Sequence, residues 1–139
     1  MNLNEESLFD KAMSNYQSGA PVIELIKDFE EITSVSPNNS AGWTCLAWLQ
    51  LLSDQNAQAL KSARTAVKLN GQDPQARINL TLALLETDSK GVREHIEFIK
   101  RAMLIMPELE KELKKSIEDG LQRKNDWMAL SKVKKWLDL

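Results

Sequence analysis

The stretch that decides the fold is residues 43–66, WTCLAWLQLLSDQNAQALKSARTA. Its first ten residues are nearly all apolar, which is typical of a helix buried on more than one side. The polar residues 53–56 mark a turn, and after them alanines recur at helical spacing among polar and basic residues. The pattern predicts two helices joined by a tight turn, with small side chains that let the two helices approach closely.

The rest of the chain has the same organisation. Apolar residues recur at intervals of three and four in residues 8–16, 22–32, 76–85 and 96–105, which is helical spacing. Glycines, prolines and short polar turns separate these segments, and none shows the sustained alternation expected of a strand. We therefore predict an all-α protein.

A shift of 34 residues superposes the chain on itself. The shift pairs large, small and turn residues, namely Phe9 with Trp43, Ala12 with Leu46, Leu25 with Ala59, Phe29 with Ala63, and Pro37 with Gly71. A helix–turn–helix unit of this period resembles the tetratricopeptide repeat (TPR). The resemblance implies a right-handed superhelix of stacked antiparallel helix pairs, because one pair cannot bury its apolar faces alone.

The register of the repeat divides the chain into units. We expect one domain over residues 1–139, with units at roughly 6–39, 40–73 and 74–109. Residues 110–139 are predicted to form a degenerate fourth unit or C-terminal capping helices, since a terminal repeat must present one face to water.

Reactive side chains are scarce, with one Cys and one His in 139 residues. A structural zinc site needs about four Cys or His ligands, and Cys45 has no second cysteine in the chain to pair with. Cys45 lies in an apolar helix without a nearby cation that would lower its pKa, so we expect an inert thiol. We predict no catalytic residue, no cofactor, no metal and therefore no enzyme.

His95 is the one residue on which an enzyme hypothesis could rest. A two-residue insertion in the third unit, where Arg77 takes the position of Trp43, places His95 where Ala59 falls. A general base would need polar neighbours converging on His95 in a pocket. A solvated or packed imidazole is the interpretation we favour.

The charge and hydropathy of the sequence indicate which partners and which cellular location to expect. The net charge is −2, but residues 1–60 carry −6 and residues 61–139 carry +4. This division can steer partners or align two copies head to tail, while the lack of a basic excess does not favour nucleic acid.

Residues 1–10 lack the basic start of a secretory signal. No apolar run approaches the roughly 20 residues that span a bilayer, so we expect a soluble cytoplasmic protein without membrane insertion.

The family resemblance also implies a binding surface. In TPR arrays the first helix of each pair lines a concave face that holds peptides, extended segments or helices of partner proteins. The residues expected on that face are Asp10, Ser14, Gln17, Thr44, Trp48, Leu51, Gln75, Ile78, Asn79 and Leu82. One subset of the family clamps a chaperone's C-terminal carboxylate with cations, but the matching positions here hold no cation and only Asn79 fits, so no clamp is expected.

Two functions follow from this surface. The first is a non-catalytic adaptor or assembly factor that binds a segment of another protein in the concave groove. The alternative is a structural or self-associating repeat protein, whose groove is filled by its own C-terminal helix or by a second copy in a homodimer. The sequence leaves both open.

Overall fold

The computed structural model describes residues 7–139, and within that range the chain forms eight α-helices and no strand. The helices are α1 (Leu8–Gln17), α2 (Val22–Val35), α3 (Ser40–Leu52), α4 (Asn56–Leu69), α5 (Pro74–Glu86), α6 (Val92–Ile105), α7 (Pro107–Arg123) and α8 (Met128–Trp136). The predicted all-α stack of helix pairs is confirmed. Residue 6, where the first unit was predicted to begin, lies outside the described residues.

Side-chain caps and left-handed turn residues set the helix boundaries. Asn39 accepts a hydrogen bond from the backbone N–H of Ala41 at 3.1 Å, and Asp73 accepts one from that of Gln75 at 3.0 Å. These acceptors satisfy donors that a helix N-terminus leaves free. Asp54 and Asp88 have positive φ angles of 61° and 52° in the turns inside the second and third pairs, and aspartate tolerates this conformation better than most residues. The two turns therefore close in the same way, one repeat apart.

Small side chains lie where neighbouring helices meet. Ala47, Ala59, Ala63, Ala66 and Ala83 are fully buried. Phe29, also buried, packs edge-on against Phe9 with ring centroids 5.9 Å apart. The small residues allow close helix approach and the aromatic rings fill the remaining space between elements, as in a close-packed interior.

The last two helices lie against the concave side of the stack. Met106 alone separates α6 from α7. The apolar stripe of α7, Leu109, Leu113 and Ile117, is buried in one cluster with side chains of α3 and α5. At the other end of α7, Asp119 accepts a hydrogen bond from Tyr16 of α1. Helix α7 therefore crosses the first helices of the three pairs, and α8 packs beside α5.

Candidate functional site

Six of the residues expected to line an open groove are buried, namely Thr44, Trp48, Leu51, Ile78, Asn79 and Leu82. Leu51, Ile78 and Leu82 are fully buried, in the cluster that contains Leu113 and Ile117 of α7. The expectation that a partner can reach these three side chains in the folded chain is therefore corrected. The physical reason is that both the groove and the α7 stripe are apolar, and each removes the other from water.

Trp48 lies at the centre of the covered region. Its ring centroid is 5.5 Å from that of Trp127, at the start of α8, with the planes tilted by 47°. Its Nε1 donates a hydrogen bond to the Tyr16 hydroxyl at 2.9 Å. Trp127 in turn donates from Nε1 to Glu86 at 2.8 Å. Both indoles are thus packed by apolar groups and have their polar atom paired, as buried tryptophans usually do.

One part of the concave side stays open beneath α7. A cavity of about 180 Å³, here called the inner chamber, lies between α1, α2, α3, α5 and α7. Its apolar wall is formed by Met13, Tyr16, Phe29, Cys45, Trp48 and Leu49, and its polar end by Thr44, Gln75, Asn79, Ser116 and Asp119. Four of the residues predicted for the groove, Thr44, Trp48, Gln75 and Asn79, are brought together here.

The chamber continues into a polar cleft between α1 and α7. This outer cleft, of about 370 Å³, is lined by Tyr16, Gln17, Glu112, Lys115, Ser116, Asp119 and Arg123. Because Tyr16, Ser116 and Asp119 line both spaces, a molecule in the cleft has a path to the chamber. Of the other predicted residues, Gln17 lies at the cleft, whereas Asp10 and Ser14 are exposed elsewhere on α1.

Hydrogen bonds hold the polar end of the chamber in place. The Asn79 amide donates to the Thr44 carbonyl at 2.9 Å and accepts from Gln75 Nε2 at 2.9 Å. Ser116 of α7 donates to Gln75 Oε1 at 2.8 Å. The chain of bonds links α3, α5 and α7 and satisfies the fully buried Asn79. Since these polar groups are already paired, the space they leave favours an apolar occupant.

A second network lies at the chamber mouth. The Tyr16 hydroxyl donates to Asp119 Oδ2 at 2.5 Å, and Arg123 Nε donates to both oxygens of that carboxylate at 3.1 Å. The Arg123 guanidinium also lies 3.7 Å from the Tyr16 ring centroid. Burial, together with the Asp119 carboxylate, raises the pKa of Tyr16 far above its usual range. The phenol is therefore a neutral donor, and the carboxylate charge is balanced by Arg123.

Cys45 contributes volume and no reactivity to the chamber. Its Sγ lies 3.7 Å from Met13 Sδ. Burial raises the pKa of the thiol to about 12, with a smaller contribution from Asp73. The thiol is protonated at neutral pH, and the thiolate is the nucleophilic form.

His95 lines neither the chamber nor the cleft. It is the fourth residue of α6, as Ala59 is of α4, and it is buried. Arg77 donates from Nη1 to His95 Nδ1 at 3.1 Å and from Nε to the Gly71 carbonyl at 2.8 Å. Burial lowers the pKa of His95. The nearby Arg77 charge lowers this pKa further, and the Glu94 carboxylate offsets the lowering only in part. The imidazole is a packed, neutral acceptor for Arg77.

The sequence prediction of the site omitted the residues that come from α7. Ser116, Asp119 and Arg123 are spaced by three and four along α7, so they share one side of that helix. Their spacing was visible beside the Leu109 and Ile117 stripe, but nothing local to α7 indicated that this side faces α1. Among the described residues, no group of three or more His, Cys, Asp and Glu could hold a metal ion. No described helix is both long and apolar enough to cross a bilayer.

Comparison with solved structures identifies a fold neighbour. The chain is similar to SycD, the type III secretion translocator chaperone of Yersinia enterocolitica, in a crystal structure of an alternative dimer. The TM-score is 0.67, with 18% identical residues over 88% of this chain and 92% of that one. The sequence matches no protein-family model and no curated protein. The likeness is one of architecture, and the chain has a TPR-like, all-helical fold.

Proposed function

We propose that the protein is a non-catalytic binding module of adaptor or chaperone type that holds a segment of a partner protein in the outer cleft. One apolar side chain of that segment enters the inner chamber. The observation that carries the proposal is the chamber itself, an apolar space of about 180 Å³ that opens to a polar cleft. Cavities lined by apolar side chains with a few placed polar groups are the usual form of a binding site.

The size of the chamber limits what enters it. An engineered apolar cavity of about 150 Å³ binds benzene, so the chamber of about 180 Å³ accepts one side chain of the size of leucine, methionine or phenylalanine. A whole helix does not fit, because α7 already lies on the concave side. The partner is therefore an extended segment or loop with a single apolar anchor.

The outer cleft can hold the backbone of the partner segment on either side of its apolar anchor residue. Its α7 side has charges of both signs, Glu112 and Asp119 beside Lys115 and Arg123. A mixed rim does not select a strongly charged peptide, and Gln17 and Ser116 offer neutral hydrogen-bonding groups. We infer a partner segment that is near neutral around its apolar residue.

The repeat register and the fold neighbour support the same class of function. The 34-residue register, with the TPR-like fold, favours membership of the TPR family. We propose units at 6–39, 40–73 and 74–109, which correspond to the pairs α1–α2, α3–α4 and α5–α6 among the described residues, and a degenerate fourth unit or cap at 110–139. SycD is a chaperone of translocator proteins, and by analogy we propose a cytoplasmic protein that binds other proteins.

The alternative function also has an observation in its favour. Leu51, Ile78 and Leu82 are covered by the chain's own α7 and α8, as a repeat protein with an internally filled groove requires. Under this alternative the chamber is a packing gap that binds nothing. The two functions differ in whether the chamber accepts a ligand.

Two variants of Cys45 test the proposal. Cys45→Phe fills the chamber with an apolar ring, and Cys45→Ala leaves it open as the matched control. Toluene, followed by NMR shifts of the chamber residues, probes the space directly. To identify the partner, the wild-type protein is used to capture proteins from native extract. The segments of those proteins that bind are then mapped with peptides.

The filled variant is expected to lose toluene binding and to bind the mapped peptide roughly tenfold or more weakly, a loss of about 1.4 kcal/mol or more. Cys45→Ala is expected to retain both. Equal peptide affinity for Cys45→Phe and the wild type would refute the chamber as the anchor site. Absence of both toluene binding and any captured partner would favour the internally filled alternative.

A further inference from the structure

The corner between α6 and α7 exposes three consecutive large apolar side chains. Leu104, Ile105 and Met106 are 83%, 80% and 59% exposed. Single exposed apolar residues are ordinary on a protein surface, but a contiguous apolar patch usually marks an interaction surface. Here the patch lies where one helix ends and the next begins, so it projects from the stack.

A recess lies directly beside this projection. A groove of about 620 Å³ runs between α6, α7 and the start of α5. It is lined by Gln72, Pro74, Phe98, Arg101, Ala102, Ile105, Met106, Leu109 and Glu112. Ile105 and Met106 thus form one wall of the recess and part of the projection. Glu112 also lines the outer cleft, so this surface adjoins the proposed partner site, but it shares no residue with the inner chamber.

A projection and a recess on one surface are what a two-fold contact requires. In an isologous dimer the same patch meets itself, so it must contain both halves of the contact. The apolar corner of one copy can enter the groove of the other, and the reverse contact follows by symmetry. A ligand of another kind would need only one of these two features.

The charges on the groove have the same self-complementarity. Arg101 lies on the α6 side and Glu112 on the α7 side. Within residues 7–139 neither has an ion-pair partner within 4.0 Å. In a contact that sets the α6 side of each copy over the α7 side of the other, Arg101 of one copy can pair with Glu112 of the second. Such pairing fixes orientation more than affinity.

We propose that the α6–α7 corner is a self-association surface whose occupant is a second copy of this chain. The contact uses no residue of the inner chamber and, of the outer cleft, Glu112 alone. The groove and corner comprise ten residues, fewer than the roughly 20–30 per side of a standard interface, so we expect a weak dimer that depends on concentration.

Sedimentation equilibrium of the full chain over a concentration series tests the proposal. The wild type is expected to approach the dimer mass as concentration rises. Ile105→Glu and the milder Leu104→Ser are expected to weaken the dimer at least about tenfold. Met128→Glu, at an apolar residue of α8 that is 72% exposed, is the matched control and should dimerise like the wild type. Circular dichroism and thermal unfolding check that each variant is folded.

A charge exchange tests the orientation. Arg101→Glu is expected to weaken the dimer, and adding Glu112→Arg is expected to restore it. A monomer at every concentration overturns the proposal, as does a dimer unchanged by Ile105→Glu or one equally weakened by Met128→Glu. If the double variant dimerises no more tightly than Arg101→Glu alone, the two-fold arrangement is overturned.

Discussion

Gly120 of α7 lies directly against the indole of Trp48 in α3. A Cβ placed at position 120 would lie 2.7 Å from Trp48 Cη2 and 2.7 Å from Leu130 Cδ2, closer than carbon atoms pack. Only glycine lets α7 approach the concave side this closely. The contact joins the C-terminal helices to the second helix pair and sets how deeply α7 lies in the groove.

Gly120→Ala is expected to destabilise the fold by about 1–2 kcal/mol. Alanine favours a helix over glycine by about 1 kcal/mol, but overpacking a core costs about 1–3 kcal/mol, and both nearest side chains are buried. Urea unfolding followed by tryptophan fluorescence measures the change. Gly71→Ala is the control, since its nearest neighbour would be 3.4 Å away and the effect should be small. A stabilised Gly120→Ala chain would contradict the packing described.

The bond between Tyr16 and Asp119 ties α7 to the first helix pair, and Tyr16→Phe tests it. Losing the hydroxyl removes the acceptor for Trp48 Nε1 as well as the donor to Asp119. We expect a loss of about 1–2 kcal/mol, typical of leaving partly buried polar groups unpaired. A double-mutant cycle with Asp119→Ala should give a coupling above about 0.5 kcal/mol. Additive effects would show that the bond contributes nothing.

Stability should fall as the pH is lowered through the His95 titration. Burial lowers the pKa of His95 below its ordinary 6.5, so the unfolded chain binds the proton first. The stability that the neutral His95 imidazole contributes to the folded state is fully present above pH 6.5. It is lost as the pH falls from 6.5 towards the lower pKa of His95 in the folded chain. Protonation also removes the acceptor at Nδ1 that Arg77 uses.

Unfolding free energies measured between about pH 7.5 and 5.5 check this dependence, a range chosen to stay above most carboxyl pKa values. His95→Gln should flatten the profile. Because His95 is the single histidine of the chain, NMR of its ring follows the same titration directly. A pKa at or above the ordinary value would contradict the environment described.

Alkylation of Cys45 should be slow in the folded chain. Burial raises the thiol pKa to about 12, and the reaction proceeds through the thiolate. Iodoacetamide at mildly alkaline pH should react roughly tenfold or more slowly with the native chain than with the chain unfolded in urea. Mass spectrometry over time gives both rates. Equal rates would mean that the folded chain does not keep Cys45 as the protonated thiol.

Local sequence patterns were enough to predict the helices. The apolar residues 43–52 lie in α3 and the alanine-rich residues 57–66 lie in α4. The two-residue insertion matched His95 with Ala59, and each is the fourth residue of its helix. These features are decided within a few helical turns, by side-chain size, spacing and capping.

The candidate site could be predicted only in part. Periodicity indicates which residues share the inner side of a first helix, and Thr44, Gln75 and Asn79 do meet at the inner chamber. The same pattern placed Leu51 and Ile78 on an open surface, and the structure buries both. Periodicity identifies an apolar face, but it does not say which element covers that face.

By itself, the sequence determined that the chain is a set of stacked helix pairs with few reactive groups, because helix formation and the 34-residue register depend on near neighbours. Only the tertiary structure decided that α7 lies across the concave side. That outcome depends on contacts between residues far apart in the chain, Gly120 with Trp48 and Asp119 with Tyr16. An amphipathic stripe requires burial against some surface, and the choice among surfaces is made by shape and hydrogen bonding in three dimensions.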